Sequence, residues 1–352
     1  MLIKKITAFQ LQTDIPKSQQ KMKVSIVVPV YNAEPYILRC FNSVVKQNYT
    51  NIECVFVDDC STDKSVVIIE EQIAAYSGAI AFKLTRNEQN RGASTARNNG
   101  TKVATGDYIY YLDSDDEITT GCIETLVGVA KKYPDADMVQ GNTETIPKLK
   151  PSKDWFDLNN RDFPEYSADR KWVKTRFLVE PRVAVNVWNK LIKRELIFDN
   201  NLFFLEGVEP HEDDHWTFYA AKHTKRIAFS KEVGYIHYFL EGSVIRSGCN
   251  KKSLNSILAI VKDWNNNLDD FLVSAQKKTI YVLLRNTLLI VNREADNEIV
   301  REYRGYIKEL LKENVRLLHL NYAMILGLML LPKYLYNNMV VKKGIGLILE
   351  LS

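Results

Sequence analysis

The stretch "VSIVVPVYNAEPYILRCFNSVVKQ" (24–47) decides the fold. Its first seven residues, 24–30, form a continuous and mostly β-branched apolar run, which is typical of a strand buried on both faces. The rest of the stretch changes period, since Ile37, Phe41 and Val44 are spaced at i, i+4 and i+7 like the apolar face of a helix. A buried strand followed directly by an amphipathic helix predicts the start of a βαβ unit.

The same alternation continues over the first 140 residues. It predicts an α/β fold with right-handed crossovers, a Rossmann-like and mostly parallel sheet flanked by helices. The predicted strands after the first are 52–59, 79–85, 107–113 and 136–141, and the predicted helices between them are 64–76, 92–104 and 118–132.

Polar residues follow the ends of the predicted strands. Parallel sheets bind ligands outside the carboxyl ends of their strands, so we expect a site at this edge of the sheet. The polar residues, taken strand by strand, are Tyr31 and Asn32, then Asp58 and Asp59, then Arg86 and Asn87, and finally Asp113 to Asp116.

The segment "YLDSDDE" (111–117) places Asp113, Asp115 and Asp116 within four positions at the end of an apolar strand. A divalent cation would relieve the repulsion among these acids, and carboxylate oxygens suit Mg²⁺ or Mn²⁺. The alternative is an acidic turn with solvated side chains.

Other polar residues at this edge suit a nucleotide. One of Asp58 and Asp59 can hold the turn, while the other can accept a hydrogen bond from a ligand N–H such as that of uracil. The Tyr31 ring can stack on a base. The chain has no glycine-rich phosphate loop, so a metal would have to hold a diphosphate. Arg91 and Arg97 are candidate phosphate partners, with a plain surface charge as the alternative for each.

Five segments, in this order and spacing, resemble glycosyltransferase family 2, and the likeness covers roughly residues 22 to 245. The resemblance implies an inverting enzyme with the GT-A fold, a nucleotide-sugar donor, usually a UDP-sugar, and a Mn²⁺ or Mg²⁺ ion. The segments are "VSIVVPVYNAEPYILRCFNSVVKQ", "VFVDDCSTDKS", "NRGASTARNNG", "GDYIYYLDSDDEI" and "HEDDHW".

The resemblance also implies roles for single residues. Pro29 and Tyr31 should contact the base and Asp59 the uracil N–H. Asp115 should hold the metal, with Asp113 beside the donor sugar or ribose. The donor-binding set implied in this way is Pro29, Tyr31, Asn32, Asp59, Arg97 and Asp113.

The family also has a downstream Glu-Asp pair whose Asp is the general base, and here that pair is Glu212 and Asp213. Cys60 departs from the family, which commonly has glycine there, and we expect only a local adjustment of the turn. His237 and Lys190 lie in segments shared with the family, and their roles stay open.

The stretch "HEDDH" (211–215) also fits H-E-x-x-H, the zinc-peptidase pattern. That interpretation needs a third ligand, which the sequence does not identify, and it places Asp213 and Asp214 at positions that pack into the protein in such helices. A non-catalytic nucleotide-sugar-binding module is the second alternative, and it would be marked by loss of the metal-binding acids or the base.

The composition is that of a globular protein, with a net charge of +4 and five scattered cysteines. This charge is too small, and too evenly spread, to indicate a nucleic-acid partner. The cysteines form no C-x-x-C pair, which favours reduced thiols and a cytoplasmic location. We see no secretory signal at the N-terminus.

We divide the chain into four parts. Residues 1–21 are predicted to be a flexible extension, 22–140 the nucleotide-sugar-binding half, 141–250 the acceptor-binding half with the base, and 251–352 a helical C-terminal region. The resemblance implies a glycan or lipid-linked glycan acceptor in surface polysaccharide synthesis, such as capsule or lipopolysaccharide, at the inner face of the cytoplasmic membrane.

The longest apolar run, residues 322–331, is shorter than the roughly 20 residues that a spanning helix needs. Peripheral membrane contact through residues 320–352 and packing of a helix on its own domain are both open for this segment.

Overall fold

The structure is a computed structural model that describes most of the chain between residues 21 and 313. The predicted extension 1–21, except Lys21, and the apolar C-terminal segment 320–352, except Leu326, lie outside the described residues. The described residues are 21–148, 158, 163–178, 186–239, 251–267, 277, 280, 281, 284, 285, 298–313 and 326.

Strands and helices alternate through the N-terminal half, as the hydrophobic pattern predicts. The strands are β1 (Val24–Val30), β2 (Ile52–Asp58), β3 (Ala81–Arg86), β4 (Tyr108–Tyr111), β5 (Glu117–Ile118), β6 (Met138–Ile146), β7 (Tyr166–Ser167), β8 (Lys190–Lys193) and β9 (Ile227–Tyr238). The helices are α1 (Ile37–Val45), α2 (Ser65–Ala75), α3 (Ala93–Val103), α4 (Cys122–Lys132), α5 (Arg170–Leu178), α6 (Arg194–Asp199), α7 (Glu212–His223), α8 (Lys251–Asn266) and α9 (Glu298–Glu313).

The strands form one sheet in the order β3-β2-β1-β4-β8-β6-β9-β5, with β7 paired to β9. The ladders β1·β2, β1·β4, β2·β3 and β6·β9 are parallel and contain most of the paired residues. β8 lies antiparallel between β4 and β6. The predicted α/β class, with a mostly parallel sheet flanked by helices, is confirmed.

Successive residues of β1 face two different cores, which explains its unbroken apolar sequence. Ile26 packs in the core that contains Ile37 of α1 and Leu126 of α4. Val27 faces the other way and packs in the core that contains Leu196 of α6 and Trp216 of α7. Helices therefore cover both faces of the sheet, and its carboxyl edge is left to form a site.

Two predicted boundaries are wrong. The helix predicted at 118–132 begins at Cys122, because Glu117–Ile118 pairs as a short strand with the distant β9. The strand predicted at 136–141 runs on to Ile146, because β9 lies beside it over that length. Both differences come from strand pairing at long range, which a local hydrophobic pattern does not contain.

No helix in the described part of the chain is both long enough and apolar enough to cross a membrane.

A buried carboxylate ties the amino ends of the parallel strands together. Glu53 of β2 accepts hydrogen bonds from the Ser25 hydroxyl at 2.5 Å and from the Thr105 N–H at 2.5 Å. The ammonium groups of Lys23 and Lys83 lie 3.1 and 3.0 Å from it. Burial would raise the pKa of Glu53, but these hydrogen bonds outweigh burial and lower the pKa to about 2.

We predict that the free energy of unfolding decreases as the pH is lowered from about 4.5 to 2, and that Glu53 causes part of this decrease. A carboxyl whose pKa is lower in the folded chain stabilises the fold above its unfolded pKa, and this contribution disappears as the pH falls through the folded value. Glu53→Gln should cost about 1–3 kcal/mol at pH 7. In urea titrations it should also flatten the pH dependence in this window.

The matched control is Glu124→Gln on the exposed face of α4. If Glu53→Gln retained the full acid dependence of the wild type, the network would not control stability in acid.

Candidate active site

A cavity of about 410 Å³ opens at the carboxyl ends of β1, β2 and β4. All seven residues that the sequence analysis assigned to the donor and the metal line this cavity. They are Pro29, Tyr31, Asn32, Asp59, Arg97, Asp113 and Asp115.

Two of these residues hold the backbone around the cavity. Asn32 has a left-handed backbone (φ 48°), and its side-chain oxygen accepts a hydrogen bond from the Thr62 N–H at 2.8 Å. The buried Asp59 carboxylate accepts hydrogen bonds from the backbone N–H groups of Arg91 at 3.0 Å and Gly92 at 2.6 Å. Asp59 thus fixes the start of α3 beside the cavity.

Tyr31 and Cys60 lie next to these two residues. Tyr31 is 50% exposed at the cavity, so one side of its ring is open to a ligand. Cys60 lies in the turn after β2 with φ 66°, a conformation that favours glycine. The turn is therefore kept with a left-handed cysteine in the place where the resembling family has glycine.

The acidic turn 113–116 brings three carboxylates together. One oxygen from each of Asp113, Asp115 and Asp116 lies within 4.8 Å of the others. Burial and the neighbouring Asp113 raise the pKa of Asp115 to about 6. This crowding of hard oxygen ligands fits a Mg²⁺ or Mn²⁺ ion.

Asp116 differs from the other two acids because the protein already satisfies it. It is buried, and it accepts hydrogen bonds from the Tyr235 hydroxyl at 2.7 Å and from the Tyr238 N–H at 2.8 Å. Burial and the charges of Asp115 and Asp113 raise the pKa of Asp116 to about 8. Asp113 and Asp115 are therefore the acids of this turn that face the cavity.

Arg39 of α1 supports the acidic turn, and the sequence analysis missed it. Its guanidinium donates to the Asp115 carbonyl oxygen at 2.5 Å and lies 3.5 Å from the centre of the Tyr238 ring. In the sequence Arg39 is simply one polar residue of an amphipathic helix, so nothing there indicates this role.

Arg97 joins the acidic turn to α7. Its side chain is 4% exposed, and one terminal nitrogen donates to Asp113 Oδ1 at 2.9 Å. The other terminal nitrogen donates to Glu212 Oε1 at 3.1 Å and lies 3.6 Å from Asp213 Oδ1. Burial lowers the pKa of Arg97, but the three carboxylates outweigh burial and raise it, so the arginine is charged.

The predicted base lies in the first turn of α7, which follows His211 in a left-handed conformation (φ 78°). The Val187 N–H approaches Asp213 Oδ2 at 3.4 Å. Burial and the neighbouring Glu212 raise the pKa of Asp213, since both disfavour the negative charge of its ionised form. A carboxylate of this kind has a high proton affinity and suits general-base work.

The two histidines of "HEDDH" have different partners. His211 Nδ1 lies 3.0 Å from Asp214 Oδ2 on the same helix, whereas His215 Nε2 lies 2.9 Å from Asp263 Oδ2 on α8. This arrangement does not favour the zinc-peptidase interpretation. His237 stacks on Trp188 with ring centres 5.3 Å apart.

Helix α8 supports α7, which carries the predicted base. Asp263 of α8 accepts a hydrogen bond from the Tyr219 hydroxyl at 2.6 Å and pairs with His215, both on α7. The Ser256 hydroxyl accepts a hydrogen bond from the Glu209 N–H and donates one to its carbonyl oxygen, each at 2.9 Å. Glu209 also lines the cavity, and no pattern in the sequence pointed to it.

Comparison with known proteins defines the class. The structure of S. aureus TarS 1–349 in complex with UDP-GlcNAc has the same fold, with a TM-score of 0.65 and 20% identity over 92% of this chain and 91% of that one. The family model for glycosyl transferase family 2 matches residues 25–183.

Two curated relatives support the same class. "Glycosyltransferase GlyG" of Streptococcus pneumoniae serotype 4 is 31% identical over 239 residues, which are 64% of this chain and 73% of the relative. "Uncharacterized glycosyltransferase YibD" of Escherichia coli K12 is 30% identical over 235 residues, 64% of this chain and 63% of the relative. The match thus spans a little less than two thirds of YibD. The chain belongs to glycosyl transferase family 2.

We predict that Arg97→Met destabilises the fold by about 3–5 kcal/mol, because removing one partner of a buried ion pair leaves charge uncompensated. Arg91→Met is the matched control, since Arg91 is 51% exposed and pairs with the half-exposed Glu206. An exposed pair of this kind contributes about 0–1 kcal/mol.

Urea unfolding at pH 7 compares the two variants. Equal midpoints for Arg97→Met and Arg91→Met would contradict the view that Arg97 holds the site together.

Proposed function

We propose that the chain is an inverting glycosyltransferase. It moves a hexose or N-acetylhexosamine from a UDP-sugar to a hydroxyl of a glycan or lipid-linked glycan in surface polysaccharide synthesis. The observation that carries this proposal is the pairing of Arg97 with both Asp113 at the cavity and the Glu212–Asp213 pair on α7. It joins a candidate donor site to a candidate base.

The donor occupies the cavity in this proposal. The nucleobase stacks on the Tyr31 ring beside Pro29, and the uracil N–H donates to the Asp59 carboxylate, which also lines the cavity. Asn32 and Arg97 shape the site through the contacts described above. The complex of TarS with UDP-GlcNAc supports a nucleotide-sugar donor.

Asp115 holds a Mn²⁺ or Mg²⁺ ion, with Asp113 beside it and the donor sugar. Such an ion, when bound, neutralises charge that builds on the departing diphosphate. The support for it is the crowding of three carboxylates at the acidic turn. Asp116 keeps its hydrogen bonds to Tyr235 and Tyr238 and shapes the turn from inside.

Asp213 is the general base. It removes the proton from the acceptor hydroxyl while that oxygen forms a bond to the anomeric carbon and the bond to the diphosphate oxygen breaks. Attack comes from the face opposite the leaving group, so the configuration inverts in one displacement. Glu212 anchors the pair on Arg97, and Arg97 itself lines the cavity.

The acceptor is a proposal from the relatives. TarS of Staphylococcus aureus, a "Poly(ribitol-phosphate) beta-N-acetylglucosaminyltransferase", is 29% identical over 220 residues, which are 61% of this chain and 35% of TarS. The activity of TarS on poly(ribitol-phosphate) supports a polymeric acceptor for this chain. Because the chain covers only part of that relative, the sugar that is transferred has to be identified by assays with a panel of donors.

We predict that Asp213→Asn lowers transfer by about 10²–10⁴-fold and leaves UDP-sugar binding within a factor of about two. The amide keeps the size of the side chain but cannot take a proton. The assay measures transfer and hydrolysis with UDP-glucose, UDP-galactose, their N-acetyl forms and GDP-mannose, with and without Mn²⁺.

Asp214→Asn is the matched control, because Asp214 is the next acid along and pairs with His211 rather than with Arg97. Binding of a nucleotide sugar with no turnover in wild type or variants would favour the non-catalytic binding module. Peptidase activity that follows zinc content would favour the zinc interpretation.

We also propose that the C-terminal segment 320–352 brings the chain to the inner face of the cytoplasmic membrane. Deleting these residues should move the protein from the membrane fraction to the soluble fraction of the cells that produce it. Fractionation followed by immunoblotting measures this distribution. An unchanged distribution would contradict membrane contact through this segment.

A further inference from the structure

Arg39, a half-buried arginine of α1, reaches the acidic turn 113–116 but binds its main chain instead of its acids. Its terminal nitrogen Nη2 donates to the Asp115 carbonyl oxygen at 2.5 Å. Within the described part of the chain its guanidinium forms no ion pair with a carboxylate, although Asp113, Asp115 and Asp116 are crowded together in this turn. The guanidinium therefore fixes the backbone and leaves the carboxylate of Asp115 to other ligands.

The Tyr238 ring of β9 holds this guanidinium in place. The guanidinium carbon lies 3.5 Å from the ring centre. The same tyrosine contacts the next two residues of the chain, since its backbone N–H donates to Asp116 Oδ1 at 2.8 Å and its hydroxyl donates to Glu117 Oε1 at 2.6 Å. Arg39 and Tyr238 thus hold three consecutive residues, 115–117, through one stacked pair from α1 and β9.

Arg39 contacts the turn from outside the donor cavity. Together with Glu117 it lines a second cavity, of about 670 Å³, between α1, β5 and β9. Asp115 lines the donor cavity, and the two cavities share no lining residue. Arg39 therefore lies outside the wall that a donor would contact, and it can act on the site through the turn.

We propose that Arg39, stacked on Tyr238, is a positioning residue that holds the Asp115 backbone so that the Asp115 carboxylate binds the divalent cation. This inference rests on the proposed function, in which Asp115 holds the metal. Metal ligands depend on partners that do not touch the metal themselves but fix the direction of each ligand atom. Arginine suits this role because its planar guanidinium can stack on an aromatic ring and donate a hydrogen bond from its edge at the same time.

The test measures the affinity of the full chain for Mn²⁺ in the presence of UDP. Mn²⁺ is titrated into an equimolar mixture of chain and UDP, free Mn²⁺ is followed by its EPR signal, and a titration of UDP alone is the blank. Arg39→Met should weaken Mn²⁺ binding by about 10–100-fold, because the Asp115 backbone loses the partner that orients it. An unchanged Mn²⁺ affinity in folded Arg39→Met would overturn the proposal.

Calorimetry of UDP in EDTA separates positioning of the metal ligand from a general structural role. Because Arg39 does not line the donor cavity, Arg39→Met should bind UDP without metal as tightly as the wild type does. A loss of UDP affinity in EDTA as large as the loss of Mn²⁺ affinity would mean that the whole site is distorted, and it would overturn the proposal.

Lys46→Met is the matched control. Lys46 follows the last residue of α1, is exposed, and lines the same second cavity as Arg39. Its Mn²⁺ affinity should equal that of the wild type. If Lys46→Met weakened Mn²⁺ binding as much as Arg39→Met, the effect would come from the loss of any positive charge on this helix, and the positioning role would be wrong.

If Arg39→Met does not fold, Tyr238→Leu is decisive. It removes the ring beneath the guanidinium but keeps the backbone N–H that binds Asp116. Mn²⁺ binding should again weaken by about tenfold or more, and an unchanged affinity would overturn the proposal.

These titrations need no turnover, so they separate this inference from the proposed function. A chain that binds UDP and Mn²⁺ but transfers no sugar would contradict the proposed function and would still report on Arg39. A wild-type chain that binds no Mn²⁺ in the presence of UDP would overturn the proposed metal site, and this inference with it.

Discussion

One buried guanidinium holds the two halves of the site together. Arg97 comes from α3, beside the parallel strands of the N-terminal half. Its terminal nitrogens nevertheless bind Asp113 after β4 and Glu212 at the start of α7. Carboxylates crowded into a partly buried site repel one another, and the guanidinium between these acids relieves that repulsion. The proposed donor cavity and the proposed base are therefore joined through Arg97.

The rest of the fold serves this contact. Parallel strands bring the turn 113–116 to the carboxyl edge of the sheet, and Asp263 of α8 fixes α7, the helix of the proposed base, through its contacts with His215 and Tyr219. Among the described residues of the cavity wall, negative charge exceeds positive charge, since Asp59, Asp113 and Asp115 line it together with the buried Arg97. A diphosphate would be repelled by such a wall unless a cation joined it.

The sequence predicted what depends on local pattern. Continuous apolar runs indicate buried strands, and acids directly after them indicate the edge of the sheet, so the acids at 58–59 and 113–116 could be found by position alone. The choice of Asp59 and Asp115 among them came from the family resemblance. Contacts between distant segments left no such signal. The pairing of β5 with β9, the partners of Arg97 and the support from α8 all join residues far apart in the chain.

The central claim is that a divalent cation at the acidic turn strengthens the binding of a nucleoside diphosphate. Isothermal titration calorimetry of UDP into the full chain, with Mn²⁺ and then with EDTA, tests it most directly. The account predicts that Mn²⁺ tightens UDP binding by about tenfold or more, which is at least about 1.4 kcal/mol. Equal affinity for UDP under the two conditions would contradict it.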